Sequence, residues 1–193
     1  MESAAVELFK AMGVGEHSRR SGDAVPDVTL LDSRGRPVRL SDVWAEAPLV
    51  VIFFRGGWCN YCNLQLRAWQ SHAQELDRLG AKVLAISPQT PQNTTGTIES
   101  NELAYPVLSD SSLEAAEGFG IAFTLPPELI DYFASVGTDI PVLNGNGLWV
   151  LPVPATYVVD TNGVIRFCDV EADYRQRAHP RDAISIIEAM IGS

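Results

Sequence analysis

Short, continuous apolar runs alternate along this chain with longer stretches in which apolar residues recur every three or four positions. The strongest run spans residues 49–54 and is rich in β-branched residues, which is typical of a strand buried on both faces. The stretch 60–79 that follows is the clearest helix, and Gly80 ends it. The same criteria predict strands at 82–87, 107–108, 156–160 and 164–168, and helices at 1–13, 43–44, 93–103, 112–119 and 181–191.

The order of these elements predicts an α/β fold with a layered, mixed sheet. Strands alternate with helices, and the two late strands, joined by a turn at 161–163, form an antiparallel hairpin. Another hairpin is expected at 27–40, after the N-terminal helix and linker of residues 1–22. We expect one domain over 23–193, with an irregular insertion at about 120–152 that contains a helix near 129–133.

Composition narrows the class of protein. The 193 residues are 46% hydrophobic and 20% charged, which excludes wholesale disorder. With 14 Lys and Arg against 24 Asp and Glu, the net charge of −10 lacks the basic footprint of a nucleic-acid binder. No apolar run approaches the roughly 20 residues that span a membrane, and the N-terminus does not have the pattern of a signal peptide, so we expect a cytoplasmic protein.

The candidate chemistry lies in a Cys-x-x-Cys at the junction between the buried strand and the long helix. Cys59 is expected at the helix start, where unpaired N–H groups and the helix dipole stabilise a thiolate. Cys62 is one turn further in, on the apolar face. We therefore expect Cys59 to be the more exposed and more acidic thiol, which attacks an electrophile, and Cys62 to resolve the product as a disulfide.

Two other interpretations of this pair stay open. A Cys-x-x-Cys can be half of a zinc site, for which only Cys168 and the three histidines at 17, 72 and 179 are available, at no recognised spacing. The pair can also be structurally inert. The redox interpretation needs no metal and no cofactor beyond the Cys59–Cys62 disulfide itself, and Cys168, on a late apolar strand, is expected to be a buried, unreactive thiol.

Residues next to the cysteines are candidates for supporting roles. Arg55 can add positive potential at Cys59 or be an ordinary solvated charge. Trp58 can pack over the disulfide and shape the approach of a substrate, or it can belong to the core. Tyr61 can offer its hydroxyl to the site.

A second candidate site residue is Pro154, directly before the strand at 156–160. An X-Pro bond is the one place where a cis peptide costs little. A cis Val153–Pro154 bond beside the dithiol would present the backbone of Val153 to a bound substrate, whereas a trans proline would simply open the strand.

Together these features resemble the thioredoxin fold, and more specifically the peroxiredoxin-like branch of the alkyl hydroperoxide reductase/thiol-specific antioxidant (AhpC/TSA) family. The resemblance extends over nearly all of 20–190. It rests on the segments 55–62, 86–91, 125–129, 151–157 and 173–175. It implies a three-layer α/β/α sandwich with an N-terminal β-hairpin extension, a cis-proline at 154 with the insertion before its strand, and antioxidant reduction of peroxides by thiols.

The chain departs from that family's pattern at the cysteines. Peroxiredoxins carry Pro-x-x-x-Thr-x-x-Cys around the attacking cysteine, and neither Cys59 nor Cys62 has it. They also carry an arginine before the late strand, where this chain has Pro154. Aligning the family's Thr-x-x-Cys with this Cys-x-x-Cys would make Cys62 the attacking sulfur, whereas the position of Cys59 at the helix start favours Cys59.

We therefore expect a dithiol peroxidase that takes hydroperoxides as substrates and a thioredoxin-like thiol as reductant. One alternative is a thioredoxin-like protein-disulfide oxidoreductase with a disulfide substrate and little peroxidase activity. The other is a redox-inactive binding module on the same fold. The insertion 120–152 is expected to cover the site, to form a homodimer contact, or simply to pack on the sheet.

Overall fold

The computed structural model describes residues 2–192, and the strands within them form two sheets. The seven-stranded sheet has the order β2-β1-β5-β4-β3-β8-β9, and a second sheet pairs β6 with β7. The strands are β1 Thr29–Leu31, β2 Pro37–Arg39, β3 Leu49–Phe53, β4 Lys82–Ser87, β5 Val107–Ser109, β6 Ala122–Thr124, β7 Val150–Pro152, β8 Ala155–Val159 and β9 Ile165–Val170.

The central sheet is mixed, as the sequence predicts. β3, β4 and β5 run parallel, with Val51 opposite Leu84, while β8 pairs antiparallel to β3 with Tyr157 opposite Val51. β1 is antiparallel to β2 and to β5, so the predicted N-terminal hairpin joins the edge of this sheet. The predicted α/β/α class is confirmed.

Eight helices surround the sheets in the described part of the chain. The long helix α3 and the C-terminal helix α8 contact each other on one side of the sheet, and α3 runs one residue short of its predicted end. The helices are α1 Glu2–Ala11, α2 Leu40–Trp44, α3 Asn60–Arg78, α4 Pro91–Asn101, α5 Glu114–Gly118, α6 Pro127–Ser135, α7 Ile140–Asn144 and α8 Pro180–Ile191.

Two hydrophobic cores lie on the two faces of the sheet because side chains of a strand alternate between them. Val51 and Phe53 of β3 pack in one cluster with Phe119. Val50 and Ile52 pack in the other with Trp69 of α3, and this second cluster also contains both Cys59 and Cys62. The dithiol is thus anchored in the core under α3.

The insertion 120–152 is more ordered than the sequence pattern indicates. β6 and β7 pair at its two ends, with Phe123 opposite Leu151, and α6 and α7 lie between them. A third core cluster joins this segment to α1 through Phe9, Leu129 and Tyr174. β6 and β7 are not predicted because, unlike the short strands of the N-terminal hairpin, they are separated by α6 and α7 and no turn in the sequence joins them. The predicted domain bounds, 1–22 and 23–193, stay a prediction.

One backbone prediction is wrong. The Val153–Pro154 bond is trans, because the described chain contains no cis peptide. The backbone N–H of Val153 donates to the carbonyl of Ile121 at 2.7 Å, and the side chain is buried in the core, so this backbone group is not free for a substrate. The strand β7 leads directly into β8, and the trans form of the Val153–Pro154 bond between them is the lower-energy form.

Within residues 2–192, none of the helices combines the length and the apolar character that crossing a bilayer requires.

Candidate active site

The two cysteines lie side by side where β3 passes into α3. Cys59 is the N-cap residue of α3, in extended conformation, and Cys62 lies in the first turn. Their Sγ atoms are 2.8 Å apart and share a hydrogen bond. Both thiols are reduced and buried, with 4% of Cys59 and none of Cys62 exposed. The predicted proximity and the deeper position of Cys62 are both found, and the sulfurs can close a disulfide after a small movement.

The loop before Cys59 is held by a network of amides and hydroxyls. The N–H of Gly57 donates to the side-chain oxygen of Gln89 at 2.8 Å, and the side chain of Asn63 donates to the carbonyl of Gly57 at 2.8 Å. Gly56 has a φ of +150°, and a Cβ there would lie 2.4 Å from the indole nitrogen of Trp58. The loop therefore needs glycine at position 56, because no other residue fits beneath Trp58.

Arg55 is a buried cation whose charge is directed at sulfur. Only 6% of it is exposed, and its Nη2 donates to Cys59 Sγ at 3.1 Å. The guanidinium lies 4.1 Å from the ring centre of Tyr174 and 5.4 Å from that of Trp58. None of the salt bridges found within residues 2–192 involves Arg55. Because a buried charge requires a counter-charge, the site is built to hold a thiolate.

A second arginine, which the sequence pattern does not single out, approaches Cys62. Arg177 Nη2 lies 3.9 Å from Cys62 Sγ, and its Nε donates to Gln65 Oε1 at 3.0 Å. Gln65 in turn donates to Thr156 Oγ1 of β8 at 3.3 Å, which fixes the amide. Arg177 is 115 residues from Cys62 along the chain, so no local motif could have indicated this contact.

The acidity of the two thiols differs from the prediction. Burial opposes ionisation of Cys62, but the hydrogen bond with Cys59 and the charges of Arg55 and Arg177 outweigh it and lower the pKa of Cys62 to about 5. The hydrogen bond with Cys62, burial and the charge on Cys62 raise the pKa of Cys59.

The prediction that Cys59 is the more acidic thiol is therefore wrong. Its side chain makes no capping hydrogen bond to the N–H groups of α3, so the helix end supplies less stabilisation than the prediction assumed. The pair holds one proton and one negative charge at neutral pH, on two sulfurs close enough to exchange that proton.

A cavity of about 360 Å³ opens over Cys59 and Arg55. The predicted substrate-side residues Trp58 and Tyr61 line it, whereas Cys62, Val153 and Pro154 do not. The insertion contributes α6 and residues after it to the lining of this cavity, and its predicted role as a cover stays a prediction.

The remaining cysteine and the histidines do not join this site. Cys168 lies on β9 and is half-buried rather than buried as predicted; it packs against the core on the opposite face of the sheet from the dithiol. Across residues 2–192, no group of three or more histidine, cysteine and acidic side chains is arranged to hold a metal ion.

Comparison with known proteins relates this chain to a family. The family model described as "AhpC/TSA family" matches residues 21–168. The putative peroxiredoxin bcp of Haemophilus influenzae is 35% identical over 100 residues, which is 52% of this chain and 64% of that protein, just under two thirds of its length. The chloroplastic peroxiredoxin Q of Sedum lineare is 25% identical over 88% of this chain and 78% of its own length.

Solved structures agree on the fold. The crystal structure of peroxidoxin BcpB from Mycobacterium tuberculosis superposes with a TM-score of 0.70 and 23% identity, over 89% of this chain and 97% of that one. A peroxiredoxin-like protein from Aquifex aeolicus gives a TM-score of 0.70 at 12% identity, over 90% of this chain and 88% of that one.

Proposed function

Because this chain belongs to the AhpC/TSA family, and its relatives are peroxiredoxins, which are thiol peroxidases without a prosthetic group, we propose that it reduces hydroperoxides through the dithiol Cys59 and Cys62. The observation that carries the proposal is the buried guanidinium of Arg55, 3.1 Å from Cys59 Sγ with no carboxylate partner among the described ion pairs. An arginine in this position stabilises a nucleophilic sulfur and the negative charge that develops on a peroxide oxygen.

Attack falls to Cys59 because it is the sulfur that lines the cavity. The proton of Cys59 moves to Cys62 across the 2.8 Å hydrogen bond, and the resulting Cys59 thiolate attacks the outer oxygen of the hydroperoxide. The S–O bond forms as the O–O bond breaks, so the sulfur loses two electrons. The other oxygen of the peroxide takes a proton from solvent and leaves as an alcohol or water. Cys59 becomes a sulfenic acid.

Resolution uses the second sulfur. Cys62 attacks the sulfenic sulfur of Cys59, an S–S bond forms, and the hydroxide that leaves combines with the proton of Cys62 as water. A dithiol of the thioredoxin kind returns two electrons and two protons by thiol–disulfide exchange. The Cys59–Cys62 disulfide is thus the only redox group that the proposed cycle uses.

Serine variants test the proposal and the order of attack. Reduced wild-type protein mixed with hydroperoxide should lose two thiols and show turnover with thioredoxin and its reductase. Cys62→Ser should accumulate a sulfenic acid on Cys59 that dimedone traps, and Cys59→Ser should not react. Cys168→Ser, the matched control, should behave as wild type. Trapping on Cys62 in the Cys59→Ser variant would reverse the order of attack, and intact thiols in the wild type would refute the function.

A second candidate function is disulfide exchange with other proteins. It is favoured by the absence of the peroxiredoxin threonine, since Cys59 stands three residues before Cys62 where that threonine would be. Slow reaction with peroxide but rapid oxidation by a glutathione disulfide would support it. Inertness toward both would support the redox-inactive module. A cytoplasmic location and a homodimer contact stay predictions.

A further inference from the structure

The loop that carries Arg55 to the dithiol contains two adjacent glycines. Gly56 and Gly57 follow Arg55 directly, and Cys59 comes two residues later. Glycine has more backbone freedom to lose on folding than any other residue, because it carries no Cβ. This freedom opposes the 3.1 Å contact from Arg55 Nη2 to Cys59 Sγ, which requires the loop to keep a single conformation.

Two side-chain amides, those of Gln89 and Asn63, restrain the loop at both backbone polar groups of Gly57. The N–H of Gly57 donates to Gln89 Oε1 at 2.8 Å, and Asn63 Nδ2 donates to the carbonyl of Gly57 at 2.8 Å. Gln89 follows β4, whereas Asn63 lies near the start of α3, so two separate elements hold the glycine. We call this pair of contacts the Gly57 clamp.

The two amides of the Gly57 clamp are themselves fixed. Gln89 is buried, and its backbone carbonyl accepts from Ser109 Oγ at 2.5 Å. Asn63 Oδ1 accepts from Asn101 Nδ2 at 3.1 Å, and Asn101 Oδ1 accepts from Arg67 Nη1 at 2.9 Å. A side chain can hold another group in place only if its own conformation is locked by packing and hydrogen bonds. Both amides meet that condition.

The helix α4 packs directly against the same glycine. A Cβ at Gly57 would lie 2.4 Å from Thr97 Oγ1, and that hydroxyl lies 3.1 Å from Gln89 Oε1. The loop therefore has no room to move toward α4. A displacement in another direction has to break a hydrogen bond of the Gly57 clamp, and each broken bond leaves a polar group unpaired.

We infer that Gln89 is a positioning residue of the dithiol. Together with Asn63 it holds Gly57 in place. The guanidinium of Arg55 therefore stays against Cys59 Sγ while that sulfur attacks a peroxide. Gln89 does not line the cavity over Cys59, so it acts through the loop and not on the substrate. The inference rests on the proposed peroxidase function and adds no chemical step to it.

The variant Gln89→Met tests this role, because it keeps the length of the side chain and removes the oxygen that accepts from Gly57. With the loop released, the thiolate absorbance of the reduced protein at 240 nm should have its midpoint about half a unit to one unit higher in pH than in the wild type. At about pH 8, where the thiolate is formed in both proteins, kcat/KM for hydrogen peroxide should fall about tenfold, because small misplacements of catalytic groups are costly.

Gln70→Met is the matched control. Gln70 Oε1 accepts from the backbone N–H of Ala104 at 2.7 Å, so this variant also removes a side-chain acceptor from a backbone donor. Gln70 lies about two turns further along α3 than Asn63, away from the dithiol. The midpoint and kcat/KM of Gln70→Met should equal those of the wild type. Equal changes in Gln70→Met and Gln89→Met would overturn the inference, since they would reflect a general loss of structure.

A second variant removes the other half of the Gly57 clamp. Asn63→Leu, which lacks the donor to the carbonyl of Gly57, should shift both measurements in the same direction as Gln89→Met. If Gln89→Met does not fold, Asn63→Leu decides by the same two measurements. A folded variant of either kind with the midpoint of the wild type, or with its kcat/KM at about pH 8, would overturn the inference even if its free energy of unfolding were lower.

The absorbance titration separates this inference from the proposed function, because it needs no peroxide. If the wild type fails to reduce peroxide but the midpoint of Gln89→Met is raised, the peroxidase function is refuted and the positioning of the dithiol by Gln89 stands. If peroxide is reduced and the midpoint is unchanged, the function stands and the role of Gln89 is refuted. No reduction together with an unchanged midpoint would refute both.

Discussion

Removing the guanidinium of Arg55 should make the dithiol markedly less acidic. In the variant Arg55→Met the hydrogen bond from Nη2 to Cys59 Sγ, 3.1 Å in the wild type, is lost, while the apolar part of the side chain is largely kept. Arg177, 3.9 Å from Cys62, remains and preserves part of the effect.

The size of the change follows from the strength of that contact. A hydrogen bond to a charged group contributes about 1.5–3 kcal/mol, and one pKa unit corresponds to about 1.4 kcal/mol. Removing it should raise the pKa of the first ionisation of the pair by about one to two units. Since the pKa of Cys62 is about 5 in the wild type, the variant should titrate at about 6 to 7.

Thiolate absorbance at 240 nm, followed between about pH 4 and pH 9 on the reduced protein, measures this directly. The rate of alkylation by iodoacetamide should show the same midpoint. Arg34→Met, in the exposed turn between β1 and β2, is the matched control and should titrate as the wild type does. A midpoint for Arg55→Met that equals the wild-type value, in a variant with unchanged circular dichroism, would refute the argument that Arg55 is the counter-charge of the thiolate.

Three further predictions concern stability. Gly57→Ala should lower the free energy of unfolding in urea by about 1–3 kcal/mol, because its Cβ would lie 2.4 Å from Thr97 Oγ1. Adding Thr97→Ala should recover much of this loss, and strictly additive losses in the double variant would contradict this account. Burial raises the pKa of Asp110 to about 6, so the free energy of unfolding should fall as pH rises from about 4 to about 6, by up to about 1.4 kcal/mol per pH unit. Denaturation measured at each pH should show that Asp110→Asn removes this fall. The thiol of Cys62 should change stability with pH in the opposite direction. Because its pKa is lowered to about 5, the free energy of unfolding of the reduced wild type should rise from about pH 5 to about pH 9. Cys62→Ser should show a flatter dependence of stability on pH, and parallel curves for the two proteins would contradict the lowered pKa.

Much of the fold follows from local pattern. The six-residue apolar run at 49–54 and the amphipathic stretch at 60–79 are strong signals, and both elements are found within one residue of their predicted ends. The position of the Cys-x-x-Cys between them follows from the same signals. β6 and β7 were missed because a strand of three residues is stable only through its partner, and that partner is 28 residues away along the chain.

The sequence by itself determined where the two sulfurs lie and that they lie together. A strand followed by Gly-Gly and an amphipathic helix places positions 59 and 62 one helical turn apart, because this geometry is local to the backbone. Arg55 is predictable as a candidate for the same reason, since it is only four residues from Cys59.

Only the tertiary structure decided which thiol carries the charge and what can reach it. The lowered pKa of Cys62 depends in part on Arg177, and the cavity depends on α1, α6 and Tyr174, which are far apart along the chain. Electrostatic shifts and cavity shape arise from distances between groups that are remote in sequence, and those distances exist only once the chain has packed.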